Sequence, residues 1–239
     1  MVSSARTVDE AFLDFVHVVA DGDIDQVSRR LARNPALATM SSPAGATRRQ
    51  PSTLFFRSIA HYLYAGDTAL HMAAAAFRRP VAELLVAHGA DCRARNRRGA
   101  EPLHYAADAN RWDPTAQAEV ITYLLSIGAD PNALDKSGVA PVHRAVRTRS
   151  LEAVRALLNG GANAVQPNRA GSTPLHLAVQ PTGRGDSGSL QARDQQAGII
   201  TLLLERGARV TDQDRRGTNV QQAAIGEWVR ALLAASTGS

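Results

Sequence analysis

A short segment that recurs four times constrains this chain more than any other feature. In the clearest copy, residues 171–178 read Gly-Ser-Thr-Pro-Leu-His-Leu-Ala. Gly171 can adopt a left-handed turn, Thr173 can cap a helix, and Pro174 fits the first helical position, where its missing N–H costs nothing. The segment therefore predicts a turn that leads directly into a helix. Weaker copies occupy residues 66–71, 99–104 and 138–143.

The spacing of these copies shows a repeating unit. His71 and His104 are 33 residues apart, as are His143 and His176, whereas His104 and His143 are 39 apart. A second marker, Gly-Ala, begins at residues 89, 128, 161 and 207. The first three of these glycines precede the next motif histidine by 15 residues, and the same step from the last one reaches Gln222 in a degraded copy. The chain thus repeats a 33-residue unit, with six extra residues in one copy.

A 33-residue period that carries Thr-Pro-Leu-His-x-Ala resembles the ankyrin repeat. The resemblance implies an all-α ankyrin-repeat solenoid of about six helix-turn-helix repeats, with short β-hairpin fingers between them. We expect one domain over residues 1–239. Its expected parts are an N-terminal capping repeat at 8–40, an insertion at 41–64, repeats at 63–95, 96–134, 135–167 and 168–213, and a C-terminal capping repeat at 214–235.

Apolar periodicity and turn residues predict where the helices and inserted loops lie. Inserted loops are expected at 41–64, 110–116 and 181–193, and Asp113 and Pro114 should cap and start a lengthened helix after the second. The leucine pairs that end at residues 85, 125, 158 and 204 should form a continuous core. Predicted helices are 8–20, 24–31, 69–77, 80–88, 141–148, 151–158, 190–206 and a shortened last pair within 219–234.

The insertion at 41–64 brings four aromatic residues close together: Phe55, Phe56, Tyr62 and Tyr64. One interpretation is that these rings fold down over the first groove of the repeats, since large apolar groups are normally buried. The other is that they form part of a ligand site on the concave side. The sequence favours the first interpretation.

Composition sets limits on compartment and partners. The formal charge is +5, and Lys136 is the sole lysine among 27 basic residues. Arginine forms forked contacts with carboxylate or phosphate, although a GC-rich genome gives the same bias. The single Cys92 excludes an internal disulfide, and no signal peptide or membrane-spanning run is evident, so we expect a cytoplasmic protein that does not bind membranes.

None of the candidate reactive groups in the sequence favours the hypothesis that the protein is an enzyme. The four motif histidines recur once per repeat, which is too far apart to share one zinc ion, so a structural role is expected. Residues 185–188, Gly-Asp-Ser-Gly, match a serine-protease loop, and residues 184–186, Arg-Gly-Asp, match an integrin-binding tripeptide; both matches are short and lie in a Gly/Ser-rich loop. We expect no catalytic residue, no cofactor and no metal. An enzyme built on the inserted loops is a third hypothesis.

The resemblance places the binding face on the finger residues and on the ends of the first helices. Many of these positions are basic, which favours a monomeric scaffold or regulator that binds an acidic protein surface or peptide. Solvated charges without a partner are the plain alternative. Nucleic-acid binding is the second functional hypothesis, disfavoured because few aromatics interleave with the basic residues. The expected partner-binding residues are Tyr64, Asp67, Arg97, Arg98, Asp108, Trp112, Lys136, Arg144, Arg147, Arg169, Gln180, Arg215 and Arg216.

Overall fold

A computed structural model shows an almost entirely helical protein, which confirms the predicted all-α fold. The structure describes residues 10–46, 54–108, 113–181 and 188–237. The chain divides into two compact units, Met1–Asp130 and Pro131–Ser239. Within the described residues each unit contains six α-helices.

In the first unit, three helix pairs stack in two layers. The inner layer places α3 between α1 and α5, and the outer layer places α4 between α2 and α6. A two-stranded antiparallel hairpin, β1–β2, lies in the insertion before α3. The bounds are α1 Glu10–Asp21, α2 Ile24–Arg33, β1 Phe55–Phe56, β2 His61–Tyr62, α3 Ala69–Ala75, α4 Arg79–Ala87, α5 Pro102–Ala106 and α6 Pro114–Ser126.

The second unit repeats this arrangement, with α9 between α7 and α11 and α10 between α8 and α12. One leucine or both of each pair expected in the core is buried: Leu85, Leu124, Leu157, Leu158 and Leu203. Their partners Leu84, Leu125 and Leu204 are half-buried. Asp113 caps α6 through the Ala116 amide, as predicted. The bounds are α7 Pro141–Arg147, α8 Leu151–Asn159, α9 Pro174–Ala178, α10 Leu190–Glu205, α11 Val220–Ala223 and α12 Glu227–Thr237.

The motif histidines close the start of the first helix in each repeat. His71 Nδ1 accepts a hydrogen bond from the Thr68 amide at 3.1 Å, so the ring proton lies on Nε2, which donates to the Ala100 carbonyl at 3.1 Å. His176 makes the same two bonds, to Thr173 and to the Thr218 carbonyl. Burial lowers the pKa of His71, which keeps the ring neutral as this bonding requires. The structural role predicted for these histidines is therefore confirmed at both positions.

In repeats whose two helices follow each other directly, a tight turn ends the first helix, and a backbone amide of that turn binds one of the last carbonyls of the helix. The Ala73 carbonyl accepts from the Arg78 amide at 2.9 Å, and the equivalent Ala145 carbonyl accepts from the Ser150 amide at 3.2 Å. Both turns need a left-handed residue, which is Phe77 with φ 55° in one and Arg149 with φ 60° in the other. Phe77 therefore ends α3 earlier than the periodicity predicts.

In the two repeats with a loop between their helices, a buried glutamine takes over this hydrogen bond. Gln117 Nε2 donates to the Ala106 carbonyl at 2.9 Å, and Gln196 Nε2 donates to the Ala178 carbonyl at 2.6 Å. These carbonyls are equivalent to those of Ala73 and Ala145. The two glutamine side chains are 1% and 0% exposed. A side-chain amide thus makes, in these two repeats, the bond that a backbone N–H makes in the repeats of Ala73 and Ala145.

Replacing Gln196 with leucine should lower the free energy of unfolding by about 1–3 kcal/mol, because the buried Ala178 carbonyl loses this donor. Chemical denaturation followed by circular dichroism measures the change. The matched control is Gln191→Leu in the same helix, where the side chain is exposed and a change within about 0.5 kcal/mol is expected. Equal effects at the two positions would contradict this role for Gln196.

Candidate functional site

Three turns in the second unit hold the basic residues that the sequence predicts at the fingertips. Asp135 Oδ1 accepts from the amides of Ser137 and Val139 at 2.8 and 3.0 Å. Asn168 and Asp214 bind the amides two and four residues ahead in the same way. The side chain that shapes each turn is thus drawn inward, and the following residues are exposed at the tip. We call Lys136, Arg169, Arg215 and Arg216 the basic fingertips; all four are exposed.

Glycine allows these turns to stack closely. A Cβ on Gly138 would lie 2.9 Å from the Arg169 nitrogen, and one on Gly171 would lie 2.5 Å from the Arg215 nitrogen. The Arg215 amide also donates to the Ala170 carbonyl at 3.1 Å. The three tips are therefore adjacent, and their cations follow one another along one edge of this unit.

Arg144 differs from the expectation that it faces a partner. Its Nη2 donates to Asp135 Oδ2 at 2.9 Å, and its side chain is only 13% exposed. Burial alone would raise the pKa of the Asp135 carboxyl, but hydrogen bonds from Val139, Arg144 and Ser137 hold it below its usual value. The charges of Arg144 and Asp135 thus neutralise each other beneath the fingertips.

Gln180 is also engaged inside its unit, contrary to the expectation. Its side-chain amide donates to the carbonyls of His176 and Ala223, so it joins α9 to the last repeat. The Gln180 carbonyl in turn accepts from Arg149 Nη2 at 2.8 Å. Arg149 is a residue that the sequence analysis missed: its guanidinium also donates to the Val146 carbonyl at the end of α7. The sequence carries no signal for this role, because the left-handed φ of 60° at Arg149 is seen only in the structure. Arg147 is exposed at the end of α7.

The equivalent finger in the first unit carries Arg97 and Arg98. Asn96 Oδ1 accepts from the amides of Arg98 and Ala100, which gives the same turn as in the second unit. Both arginines are exposed. The Arg98 guanidinium carbon lies 3.8 Å from the centre of the Tyr64 ring, a cation–π contact that joins the insertion to the finger.

Asp67 lies in the interior, not at a fingertip as expected. Its side chain is 0% exposed and accepts from the Tyr105 hydroxyl at 2.7 Å, from Asn96 Nδ2 at 2.8 Å and from the Tyr64 amide at 2.6 Å. Tyr105 sits at a core position of α5, and a buried tyrosine hydroxyl needs a partner, which was the signal in the sequence. Asp108 is half-buried. Trp112 lies outside the described residues.

The aromatic residues of the insertion 41–64 divide between the interior and the surface. Phe56 is buried and stacks on His17 of α1, with ring centres 4.3 Å apart. Phe55, Tyr62 and Tyr64 are half-buried. The interpretation that these rings fold over the first groove therefore describes Phe56 but not its three neighbours.

The two short motifs of the Gly/Ser-rich loop lie almost entirely outside the described part of the chain. The tripeptide at 184–186 and most of the tetrapeptide at 185–188 lie outside it. Within the described residues, no three His, Cys, Asp or Glu side chains group to hold a metal. Cys92 is half-buried, and burial raises the pKa of its thiol. The described helices are too short or too polar to span a membrane.

Comparison with known families decides the classification. The family model described as "Ankyrin repeats (3 copies)" matches residues 52–135 and 114–214, which is more than half of the chain. The chain belongs to the ankyrin-repeat family. Ankyrin repeats generally mediate protein–protein interactions.

Relatives with curated names match parts of the ankyrin chain. Ankyrin repeat and SOCS box protein 6 of Homo sapiens is 34% identical over 152 residues, which is 59% of this chain and 35% of that protein. Neurogenic locus notch homolog protein 1 of Danio rerio is 32% identical over 140 residues, 47% of this chain and 6% of that protein. E3 ubiquitin-protein ligase KEG of Arabidopsis thaliana is 35% identical over 102 residues, which is 42% of this chain and 6% of that protein. The chain spans about a third or less of each of these relatives.

Glu101 occupies the motif position that Thr68 and Thr173 occupy in other repeats. In those repeats the threonine hydroxyl lies 2.9 Å from the histidine Nδ1. Glu101 is 1% exposed; Oε1 accepts from Arg95 Nε at 3.0 Å, and Oε2 has no hydrogen-bond partner within the described residues. Burial raises the pKa of this carboxyl, although Arg95 opposes the shift. Ionisation of Glu101 is therefore less favourable in the folded state than in the unfolded chain.

Glu101→Thr should raise the free energy of unfolding at neutral pH by about 1–2 kcal/mol. A raised folded-state pKa means that the wild-type penalty applies above that pKa and fades as the pH falls through it. The gain should therefore shrink under acid conditions, as thermal unfolding across a pH series would show. Glu119→Thr at an exposed site of α6 should instead cost a few tenths of a kcal/mol at every pH, through helix propensity. A gain at Glu101 that does not change with pH would refute the buried-charge explanation.

Proposed function

We propose that this chain is a non-enzymatic protein-binding module whose basic fingertips bind an acidic surface or peptide of a partner protein. The observation that carries the proposal is the division of charge within the stacked turns. The Asp135 and Asp214 carboxylates bind backbone amides or Arg144, while the neighbouring cations are exposed. Like charges on adjacent tips raise the local positive potential, which speeds encounter with an acidic partner and orients it.

The proposal extends to the other exposed cations at equivalent places in the repeats. Arg147 lies at the end of α7 in the second unit, and Arg97 and Arg98 lie on the finger of the first. Asp67, Arg144 and Gln180 are left out, because their side chains are bound inside their own units. Their part is to hold the fingers and helices in place.

A nucleic acid is the alternative partner, since arginine also binds phosphate. The fingertip sequences of the second unit argue against it: they read Lys-Ser at 136–137, Arg-Ala at 169–170 and Arg-Arg at 215–216. None contains an aromatic ring on which a base could stack, whereas proteins that bind single strands combine cations with such rings. A protein partner therefore fits these turns better.

The proposal places the protein in the cytoplasm as a monomeric scaffold or regulator. A chain with a single cysteine does not depend on an oxidising compartment for internal disulfides. The polar groups that recur in the repeats, including the histidines, are used in hydrogen bonds that hold the repeats together. This supports recognition rather than catalysis as the role of the chain.

The double variant Lys136→Glu/Arg215→Glu should weaken binding of a labelled Glu-Gly repeat peptide about 5- to 10-fold, because two exposed attractions become repulsions. Fluorescence anisotropy at low ionic strength measures the dissociation constant. The difference between wild type and variant should fall as salt is added.

Arg155→Glu/Arg209→Glu is the matched control, with the same change in formal charge on exposed residues of the same unit that lie outside the fingertips. Its affinity should stay within about twofold of wild type. Equal weakening by both pairs would mean that overall charge, and not the fingertips, attracts the peptide. A labelled DNA duplex that binds more tightly than the peptide would favour the nucleic-acid alternative.

A further inference from the structure

The hairpin of the insertion has one face turned to the protein and one turned away from it. In its register Phe56 pairs with His61 and Phe55 pairs with Tyr62, and successive residues of a strand point to opposite faces. Phe56 and His61 are 2% and 8% exposed, and Phe56 stacks on His17. Phe55 and Tyr62 consequently occupy the outer face, where both are half-buried.

The outer face continues into the finger of the next repeat. The Phe55 and Tyr62 rings are 4.7 Å apart, and the Tyr62 and Tyr64 rings are 6.2 Å apart. The Arg98 guanidinium then covers the Tyr64 ring at 3.8 Å. These four residues, Phe55, Tyr62, Tyr64 and Arg98, form what we call the aromatic–arginine surface.

The fully buried apolar side chains of the hairpin segment are not those of the outer face. Phe56, Ile59 and Leu63 are at most 2% exposed and supply the apolar contacts of the insertion with the repeats. The three outer rings are instead held side by side at the surface. Such rigid, amphipathic rings next to an arginine have the composition of a protein-binding hot spot.

The charge around this surface selects an acidic partner. The described residues of this segment, 41–46 and 54–66, contain one arginine and no aspartate or glutamate. That residue, Arg57 in the hairpin turn, is exposed, as are Arg97 and Arg98. The adjoining Asp67 carboxylate is buried and bound to Tyr105 and Asn96.

We propose that the aromatic–arginine surface is a docking site for an acidic protein segment that carries an apolar side chain. The apolar side chain lies on the Phe55 and Tyr62 rings, and neighbouring carboxylates of the segment pair with Arg97 and Arg98. The inference rests on the proposed function in taking a protein as partner. It adds an apolar anchor, on the first unit, to the charge recognition proposed for the fingertips of the second.

Two labelled peptides test the anchor: a Glu-rich peptide with a central leucine, and the same peptide with glycine in place of that leucine. Wild type should bind the leucine peptide about tenfold more tightly. Phe55→Ser/Tyr62→Ser should bind both peptides equally, at the affinity of the glycine peptide. Phe55→Leu/Tyr62→Phe should retain the preference, and thermal unfolding should show that each variant is folded.

The matched control is Ile24→Ser, which removes a 43% exposed apolar side chain elsewhere in the first unit and should leave the leucine preference unchanged. The preference should also persist in Lys136→Glu/Arg215→Glu, so that a failure of the fingertip proposal and a failure of this one are read from different variants. If wild type binds both peptides equally, the apolar anchor on the aromatic–arginine surface is overturned, and the fingertip proposal is unaffected.

Two further outcomes would assign the surface to another occupant and overturn the inference. The first is an oligothymidine probe that binds more tightly than either peptide and is released by Phe55→Ser/Tyr62→Ser. The second is dimerisation of wild type, seen by sedimentation, that this variant abolishes.

Discussion

The fold depends on closing very short helices at both ends. The first helices α5 and α9 have five residues each, so most of their backbone N–H and C=O groups find no partner within the helix. A neutral histidine closes the start and reaches a carbonyl of the following repeat, as His71 and His176 do. A turn amide or a glutamine closes the end. The hydrogen bonds that complete one helix thus also fix the next repeat in register.

The sequence predicts most of the fold because the residues that mark turns and helix starts recur in each repeat. Histidine spacing, the Gly-Ala marker and the threonine cap at residues 68 and 173 recur in phase, and the helices start close to the positions that these markers predict. The positions of the leucines predict the core for the same reason. Helix ends are less predictable, since Phe77 and Arg149 adopt left-handed conformations that their side chains do not announce.

The candidate site is harder to predict, because the position of a residue in a repeat does not tell whether its side chain is already bound. Asp67 and Arg144 stand where partner-facing residues are expected, yet Tyr105 and Asp135 bind them inside their units. In each case a polar or charged residue at a nearby core or turn position requires such a partner. Among the fingertip cations, the Arg169 guanidinium donates to the Lys136 carbonyl of the preceding tip, yet all four side chains are exposed. The outer face of the hairpin lies outside the repeat pattern altogether, and only the strand register shows which rings it presents.

Because of the buried glutamines of α6 and α10, the hydrogen bond that ends the first helix does not depend on the length of the connection to the second helix. The carbonyl that ends the first helix is bound by a side chain from the second, so it does not depend on the path taken between them. The number of residues between the two helices can therefore differ from repeat to repeat while this hydrogen bond is kept. Evolution can lengthen or shorten the connection in these two repeats without removing the bond that ends the first helix.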